Sequence, residues 1–435
     1  MRRPPVRPRP ILLAVATLAS VVWLAGVATP RAAAAPGVQY GLTDDAWIMH
    51  GPGTLDARLD RLQAIGVRIV RFSLDWNEIA PTAPAVATDP ADTAYKWTDD
   101  DAVLDGLHSR GITVVAQLVG TPKWANGGHG PNYAPTSAAA FGEFASAAAQ
   151  HYSWIKRWII WNEPNQIIWL RPTTPAIYVT HLLNPAYKAI HAVIKGAQVA
   201  GGATAPRGNT NGSSPIAWAE GMHAAHAKLD AYAQNPYPLN PKKETPLTGG
   251  CDHCTTVTMA TIDRLVAVVA KDFGSARIWL TEYGYQTDPP DKILGVSPAL
   301  QARYLAEGAY VAWHTPRVDM LLQFLYRDEP ELSRFQSGLV TIKNGTKPAL
   351  HAFELPLMEV TRSGTRVALW GQLRAPAAGR AARLEKKTSS GWKLVATLTA
   401  SPAAGYVKWT GALPIGTTVR ITAGGGLAGA PLKLH

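Results

Sequence analysis

The chain has 435 residues, of which 47% are hydrophobic and 17% are charged, and its formal net charge is +11. This length and apolar content exclude an intrinsically disordered chain and leave room for one large domain and a smaller one. No cluster of lysines and arginines is interleaved with aromatic residues, so the positive charge does not indicate a nucleic-acid partner.

The first 35 residues have the composition of a secretory signal peptide. Four arginines lie at the start, an apolar run covers residues 11–26, and the alanines at 32–35 offer a cleavage site of small residues. A single membrane anchor is the alternative, but the apolar run is short for a membrane span. Removal of residues 1–35 takes away five arginines and no acid, which lowers the formal charge from +11 to +6. We therefore expect a secreted mature chain without a membrane span.

Residues 36–355 alternate between short apolar runs and segments with helical spacing of apolar residues. Gly66 and Gly111 each end a predicted helix just before the next strand begins. The eight predicted strands begin at or near Val38, Val67, Ile112, Trp158, Gln198, Leu229, Arg277 and Met320. Eight strand–helix units predict an α/β fold, the (β/α)8 TIM barrel, in which functional residues lie where the strands end.

Two of these strands end on a glutamate. Strand four continues into Asn162 and Glu163, and Pro164 then ends it because proline has no backbone N–H group. Strand seven reaches Glu282 and breaks at Gly284. A single glutamate at a strand end is more often solvated or ion-paired than catalytic. Two of them at one edge of a sheet indicate the paired carboxylates that hydrolyse a glycosidic bond.

The Asn-Glu-Pro and Thr-Glu-Tyr-Gly motifs around these glutamates resemble those of the retaining glycoside hydrolases of clan A. That clan of (β/α)8 enzymes includes family 5, which is cellulase-like, and family 39. The resemblance implies that Glu163 is the acid/base and that Glu282 is the nucleophile. It also implies that Asn162 faces the 2-hydroxyl group of the sugar, and it requires no metal and no organic cofactor.

Three further positions extend the resemblance. Arg71 in strand two resembles an arginine that lies near the nucleophile in the clan, and a salt bridge at the barrel mouth is its alternative role. Tyr237 resembles a tyrosine that hydrogen-bonds the nucleophile, although Asn235 stands where the clan usually has histidine. Trp124, in a Thr-Pro-x-Trp-Ala segment after strand three, is the aromatic side chain that we select as a wall for a sugar ring.

Cys251 and Cys254 are the only cysteines in the chain. In a cytosolic protein this spacing would suggest a zinc site or redox activity, whereas in an exported protein it favours a local disulfide. One Cys-x-x-Cys pair without a second pair is poor support for zinc. We therefore predict a disulfide between these two residues and no metal site.

After residue 355 the pattern changes to short strand-like segments separated by glycine, proline and serine. Their spacing predicts a small all-β, sandwich-like domain over residues 359–435. We interpret this domain as a stabilising accessory domain, with a sugar-binding module as the alternative.

These features together predict a secreted retaining glycosidase that cleaves O-glycosidic bonds of a poly- or oligosaccharide by double displacement. A transglycosylase is an alternative, because it forms the same covalent intermediate and differs only in the access of water to the acceptor side. A non-catalytic barrel that binds glycans is another, and the two intact glutamates argue against it.

Overall fold

The computed structural model describes residues 37–208, 212–250 and 255–435. The predicted signal peptide, residues 1–35, and the cysteine pair Cys251 and Cys254 lie outside the described residues, so both stay predictions. Within the described residues, no helix combines the length and the apolar character that a bilayer crossing requires.

Eight parallel strands of the described chain close into a barrel. Each strand pairs with its neighbours in sequence, and the eighth pairs with the first, with Leu42 opposite Gln323. The strands β1–β8 are Gln39–Thr43, Ile69–Asp75, Thr113–Val119, Arg157–Ile160, Gln198–Thr204, Ala231–Gln234, Arg277–Tyr283 and Val318–Phe324. The predicted (β/α)8 barrel is therefore confirmed.

The strands divide their side chains between two apolar cores. In β4, Ile159 belongs to a core inside the barrel, whereas Trp158 and Ile160 belong to the core outside it. Successive side chains of a strand point to opposite faces, so strands that are covered on both sides need an uninterrupted apolar run. This requirement explains why the barrel strands read as continuous apolar segments in the sequence.

Helices between the strands cover the outside of the barrel. Ser214 and Ser297 each cap a helix by accepting a hydrogen bond from the backbone N–H three residues later, and each is followed by proline. A π-helical turn, Tyr178–Leu183, joins the short helix Pro175–Ile177 to the helix Asn184–Val193. The helices α1–α11 are Asp45–His50, Leu55–Ala64, Trp76–Ile79, Thr98–Ser109, Ala138–His151, Pro175–Ile177, Asn184–Val193, Pro215–Ala224, Ile262–Asp272, Pro298–His314 and Pro348–Glu354.

Two antiparallel sheets follow the barrel and form a small sandwich, as predicted. Apolar side chains such as Leu369, Leu384 and Ile421 form a core that is separate from the barrel cores. The strands β9–β15 are Leu357–Ser363, Arg366–Gln372, Ala381–Thr388, Gly391–Thr399, Tyr406–Ala412, Thr418–Ala423 and Leu432–Lys433. One sheet has the order β13-β10-β9 and the other has the order β12-β11-β14-β15. The sequence pattern did not indicate β9 and β15.

The sandwich packs directly against the barrel. Trp370 of β10 is buried in the outer barrel core, with its ring 5.6 Å from that of Tyr310 and 5.8 Å from that of Trp313, both on α10. Arg374 places its guanidinium carbon 3.8 Å from the centre of the Tyr40 ring, in β1. Barrel and sandwich therefore share buried surface, and the described residues belong to one compact unit.

Candidate active site

The turn after β4 brings Asn162 and Glu163 to the carboxyl end of the barrel. Trp161 and Glu163 have φ angles of 69° and 39°, in the left-handed region that is costly for residues with a side chain. Neighbouring strands hold this turn, because the Trp161 N–H donates to the Leu118 carbonyl at 2.8 Å and the Glu163 N–H donates to the Ala203 carbonyl at 2.9 Å. The strained turn therefore depends on the closed barrel.

Asn165 fixes the same turn to the segment after β5. Its side chain is fully buried, its Oδ1 accepts from the Ala205 N–H at 2.9 Å, and its Nδ2 donates to the Ser213 carbonyl at 2.9 Å. Most buried polar atoms in folded proteins have a hydrogen-bond partner, and here both ends of the buried amide are paired. Asn165 directly follows the Asn-Glu-Pro motif, but no pattern in the sequence indicated this anchoring role.

Glu282 of β7 is held by two donors. Arg71 Nη1 lies 2.7 Å from Glu282 Oε1, and the Tyr237 hydroxyl donates to Glu282 Oε2 at 3.0 Å. Arg71 is in turn fixed by its Nε, which donates to Thr43 Oγ1 at 3.2 Å. Arg71 and Glu282 are only 5% and 7% exposed. The two roles considered for Arg71 thus coincide, because its salt bridge at the barrel mouth is made with Glu282 itself.

Glu163 lies in a different electrostatic environment. Burial, and then the negative charge of Glu282, raise the pKa of Glu163 to about 8, and a hydrogen bond from Asn235 opposes this rise. A carboxyl group with such a pKa is protonated at neutral pH, which is the state that a general acid requires. The two glutamates of the site therefore differ in their partners and in their surroundings.

Asn235, at the position where the resemblance led us to expect histidine, makes polar contacts on both sides. Its Nδ2 donates to Glu163 Oε1 at 3.1 Å, and its Oδ1 accepts from Thr281 Oγ1 at 2.8 Å. It thereby links the end of β6 to the turn after β4 and to β7. Burial and the charge of Glu282 raise the pKa of the nearby Tyr237 well above its usual range, so this hydroxyl remains a donor.

Both glutamates line one cleft of about 650 Å³, together with Arg71, Asn162 and Tyr237. Asn162 Oδ1 is buried and has no hydrogen-bond partner within the described residues. This oxygen can therefore accept a hydrogen bond from a ligand hydroxyl. Five of the six selected residues thus lie around one cavity.

The sixth selected residue, Trp124, is not among the described residues that line this cleft. Its indole N–H donates to the Ala80 carbonyl at 2.8 Å, and its ring packs edge-on against Trp76. Trp169, which is 42% exposed, lines the cleft instead. The role of Trp124 as a sugar wall stays a prediction.

Polar residues at the ends of β1–β3 also line the cleft, although we did not select them from the sequence. Asp45 Oδ2 accepts from the Ser73 N–H at 3.2 Å, and Asp45 Oδ1 has no partner among the described residues. Burial raises the pKa of Asp45, and burial together with the charge of Asp45 raises the pKa of Asp75 to about 7. Their position at strand ends was the signal that would have identified them.

Within the described residues, no three His, Cys, Asp or Glu side chains cluster as metal ligands.

No protein-family model matches the chain, and a search of curated proteins finds no match. Among solved structures, the chain is similar to CelM2, a bifunctional glucanase-xylanase protein from a metagenome library, with 11% identity and a TM-score of 0.52 over 90% of this chain and 96% of that one. It is also similar to GH5_18 from Streptomyces cattleya in complex with GlcNAc, with 16% identity and a TM-score of 0.51 over 74% of this chain and 79% of that one. The chain shares its fold with glycoside hydrolases.

A beta-glucosidase from Thermotoga maritima in complex with deoxynojirimycin shows the same likeness. It is 13% identical, with a TM-score of 0.51 over 73% of this chain and 97% of that one. At these identities the likeness establishes the fold, and at that level it confirms the resemblance that the motifs predicted. The chemistry of the cleft has to follow from its own residues.

Proposed function

We propose that the chain is a secreted retaining glycoside hydrolase that cleaves O-glycosidic bonds of a poly- or oligosaccharide by double displacement. The observation that carries this proposal is the contrast between two carboxyl groups in one cleft. Arg71 and Tyr237 both contact the carboxyl group of Glu282 as donors, while the raised pKa of Glu163 keeps that group protonated. An anionic nucleophile and a proton donor are the pair that a retaining glycosidase needs.

In the first step, a carboxylate oxygen of Glu282 attacks the anomeric carbon. The bond from that carbon to the leaving oxygen breaks, and Glu163 transfers its proton to this oxygen. Asn162 Oδ1, which lacks a protein partner among the described residues, accepts a hydrogen bond from the 2-hydroxyl group of the sugar. The product of this step is a glycosyl ester on Glu282 and a free leaving group.

The second step follows from the change of charge on Glu282. The ester is neutral, so one of the two causes that raise the pKa of Glu163 disappears and its carboxylate becomes more stable. Glu163 then takes a proton from a water molecule, whose oxygen attacks the anomeric carbon and releases Glu282. Two inversions at the same carbon leave its configuration unchanged.

A rescue experiment with azide tests these roles. A panel of dinitrophenyl glycosides first identifies one that the wild-type chain cleaves. With that glycoside, Glu163→Ala is expected to release one burst of dinitrophenol and then stall, because the good leaving group needs no acid but the ester lacks a base. Azide is expected to restore turnover and to yield a glycosyl azide of retained configuration.

Glu282→Ala is expected to be inactive toward the same glycoside, and azide is expected to give at most the inverted product. Glu143→Ala, which alters an exposed glutamate on α5, is the matched control and should keep the wild-type rate. Wild-type rates for both Glu163→Ala and Glu282→Ala would show that this cleft is not the active site. The sizes of the products formed by the wild-type chain separate hydrolysis from transfer to another sugar.

A further inference from the structure

The candidate cleft has a polar side and an apolar side. Five of the lining residues that β1–β3 and the segments just after them contribute are polar, namely Asp45, Arg71, Ser73, Asp75 and Gln117. β4 to β8 and the segments after them contribute the two glutamates, further polar side chains such as Gln166 and Arg207, and most of the large apolar side chains of the cleft. We call the following residues the apolar wall: Ile168, Trp169, Leu239, Leu294 and Phe335.

Most of the apolar wall faces water. Ile168 is 61% exposed, Leu294 is 44% exposed and Phe335 is 38% exposed. The loops after β7 and β8 expose further apolar side chains, since Ile293 is 81% exposed and Leu332 is 63% exposed. Several exposed apolar side chains around one cleft are unfavourable in water, and on a folded protein such a surface is typical of a ligand-binding groove.

Hydrogen bonds hold the backbone of the apolar wall in place at two points, which we call its tips: Leu294 in the loop after β7, and Ile168 with Trp169 in the loop after β4. Asp291 Oδ1 accepts from the backbone N–H groups of Ile293 at 2.8 Å and of Leu294 at 3.0 Å. On the other tip, Trp161 Nε1 donates to the Trp169 carbonyl at 2.7 Å, and Asn132 Nδ2 donates to the Ile168 carbonyl at 3.1 Å. The apolar side chains are thus presented by an ordered backbone.

We infer that the substrate is an amphiphilic glycoside, whose sugar binds the polar side and whose long aliphatic chain lies along the apolar wall. This inference rests on the proposed glycosidase function. The apolar wall belongs to the same cleft as Glu163 and Glu282, so its occupant is part of the molecule whose bond is cleaved. Aromatic rings alone would suit the C–H faces of sugars, whereas the branched side chains of Ile168 and Leu294 match an aliphatic chain better.

The dependence of binding on chain length tests this inference. The probes are methyl, butyl, hexyl and octyl β-D-glucopyranoside below their micelle concentrations, titrated calorimetrically into the wild-type chain. A half-buried methylene tightens binding about 2-fold, so octyl glucoside is expected to bind about 16-fold more tightly than butyl glucoside. The ratio compares chains on one sugar, so it does not require glucose to be the natural sugar.

The double variant Ile168→Ser/Leu294→Ser is expected to reduce this ratio to about 3-fold or less, because it removes aliphatic surface from both tips. Ile415→Ser is the matched control, since Ile415 is 69% exposed in the sandwich and does not line the cleft. It should keep the wild-type ratio, and thermal melts check that each variant is folded. Equal binding of butyl and octyl glucoside by the wild type, or no detectable binding of either, would overturn the inference.

The same experiments separate failure of this inference from failure of the proposed function. If the chain hydrolyses an aryl glycoside but binding does not depend on alkyl chain length, the proposed glycosidase function is supported and the amphiphilic substrate is contradicted. If binding depends steeply on alkyl chain length but no glycoside is turned over, an apolar ligand is supported and the proposed glycosidase function is contradicted. Sedimentation with phosphatidylglycerol vesicles tests a membrane surface as the occupant. Vesicle binding that the double variant abolishes, with a flat response to chain length, would overturn the inference in favour of that surface.

Discussion

Asn235 links Glu163 by hydrogen bonds to β7, the strand that carries Glu282. It donates to Glu163 and accepts from Thr281, the residue before Glu282 in β7. A donor that contacts a carboxylate stabilises its charged form, so Asn235 lowers the pKa of Glu163 against the opposing effect of burial. The amide therefore contributes to the pH range in which Glu163 can act as acid and then as base, although burial and the charge of Glu282 have the larger effects.

Asn235→Ala is expected to raise the pKa of Glu163. Because a hydrogen bond to the charged group is lost, the basic limb of the pH profile of kcat/KM is expected to shift to higher pH by about one unit. The measurement is hydrolysis of an aryl glycoside between pH 5 and pH 10. Thr281→Val keeps the donor on Glu163 and should shift the limb less. A shift to lower pH for Asn235→Ala would contradict this role.

Lys347 joins the loops that follow β7 and β8. Its Nζ donates to Asp328 Oδ1 at 2.7 Å, to Thr287 Oγ1 at 2.9 Å and to the Gln336 carbonyl at 3.0 Å, and the residue is only 4% exposed. Gln336 follows Phe335 of the apolar wall directly. The buried ion pair thus determines where one side of the cleft lies.

Lys347→Met is expected to lower the free energy of unfolding by about 3–5 kcal/mol, because it leaves the buried Asp328 carboxyl without its cation. Urea denaturation followed by tryptophan fluorescence measures this loss. The double variant Lys347→Met/Asp328→Asn removes both charges and should recover most of the stability. A loss below about 1 kcal/mol for the single variant would show that the pair contributes no more than a surface ion pair.

The barrel and the sandwich are expected to unfold together, because aromatic side chains of both form one buried contact. Trp370 is 1% exposed and packs against α10 of the barrel. Calorimetry of the full chain should show a single transition. A chain that stops after Leu355 would expose this face of α10, so we expect it to be insoluble or to melt well below the full chain. Two separate transitions, or a truncated chain with an unchanged Tm, would show that the barrel is independent.

Local patterns in the sequence were enough to predict the barrel, the sandwich and the place of both glutamates. A parallel barrel strand is covered on both faces, so it appears as an apolar run, and a proline or glycine marks its end. The carboxyl ends of all eight strands meet at one rim, so a glutamate at two of these ends is enough to predict a shared site. Arg71 and Tyr237 were placed beside Glu282 by resemblance, and their contacts with it agree with that placement.

The protonation of Glu163, the contacts of Asn235 and the composition of the cleft walls depended on tertiary structure. Burial of Glu163 comes from segments far apart in the chain, and the left-handed turn at Trp161 and Glu163 exists only because β3 and β5 hold it. Whether Trp124 or Trp169 reaches the cleft depends on the conformation of loops, which the periodicity of apolar residues in the sequence does not predict. The contact between Trp370 and α10 likewise joins distant segments, and a strand pattern cannot show which of its faces meets another domain.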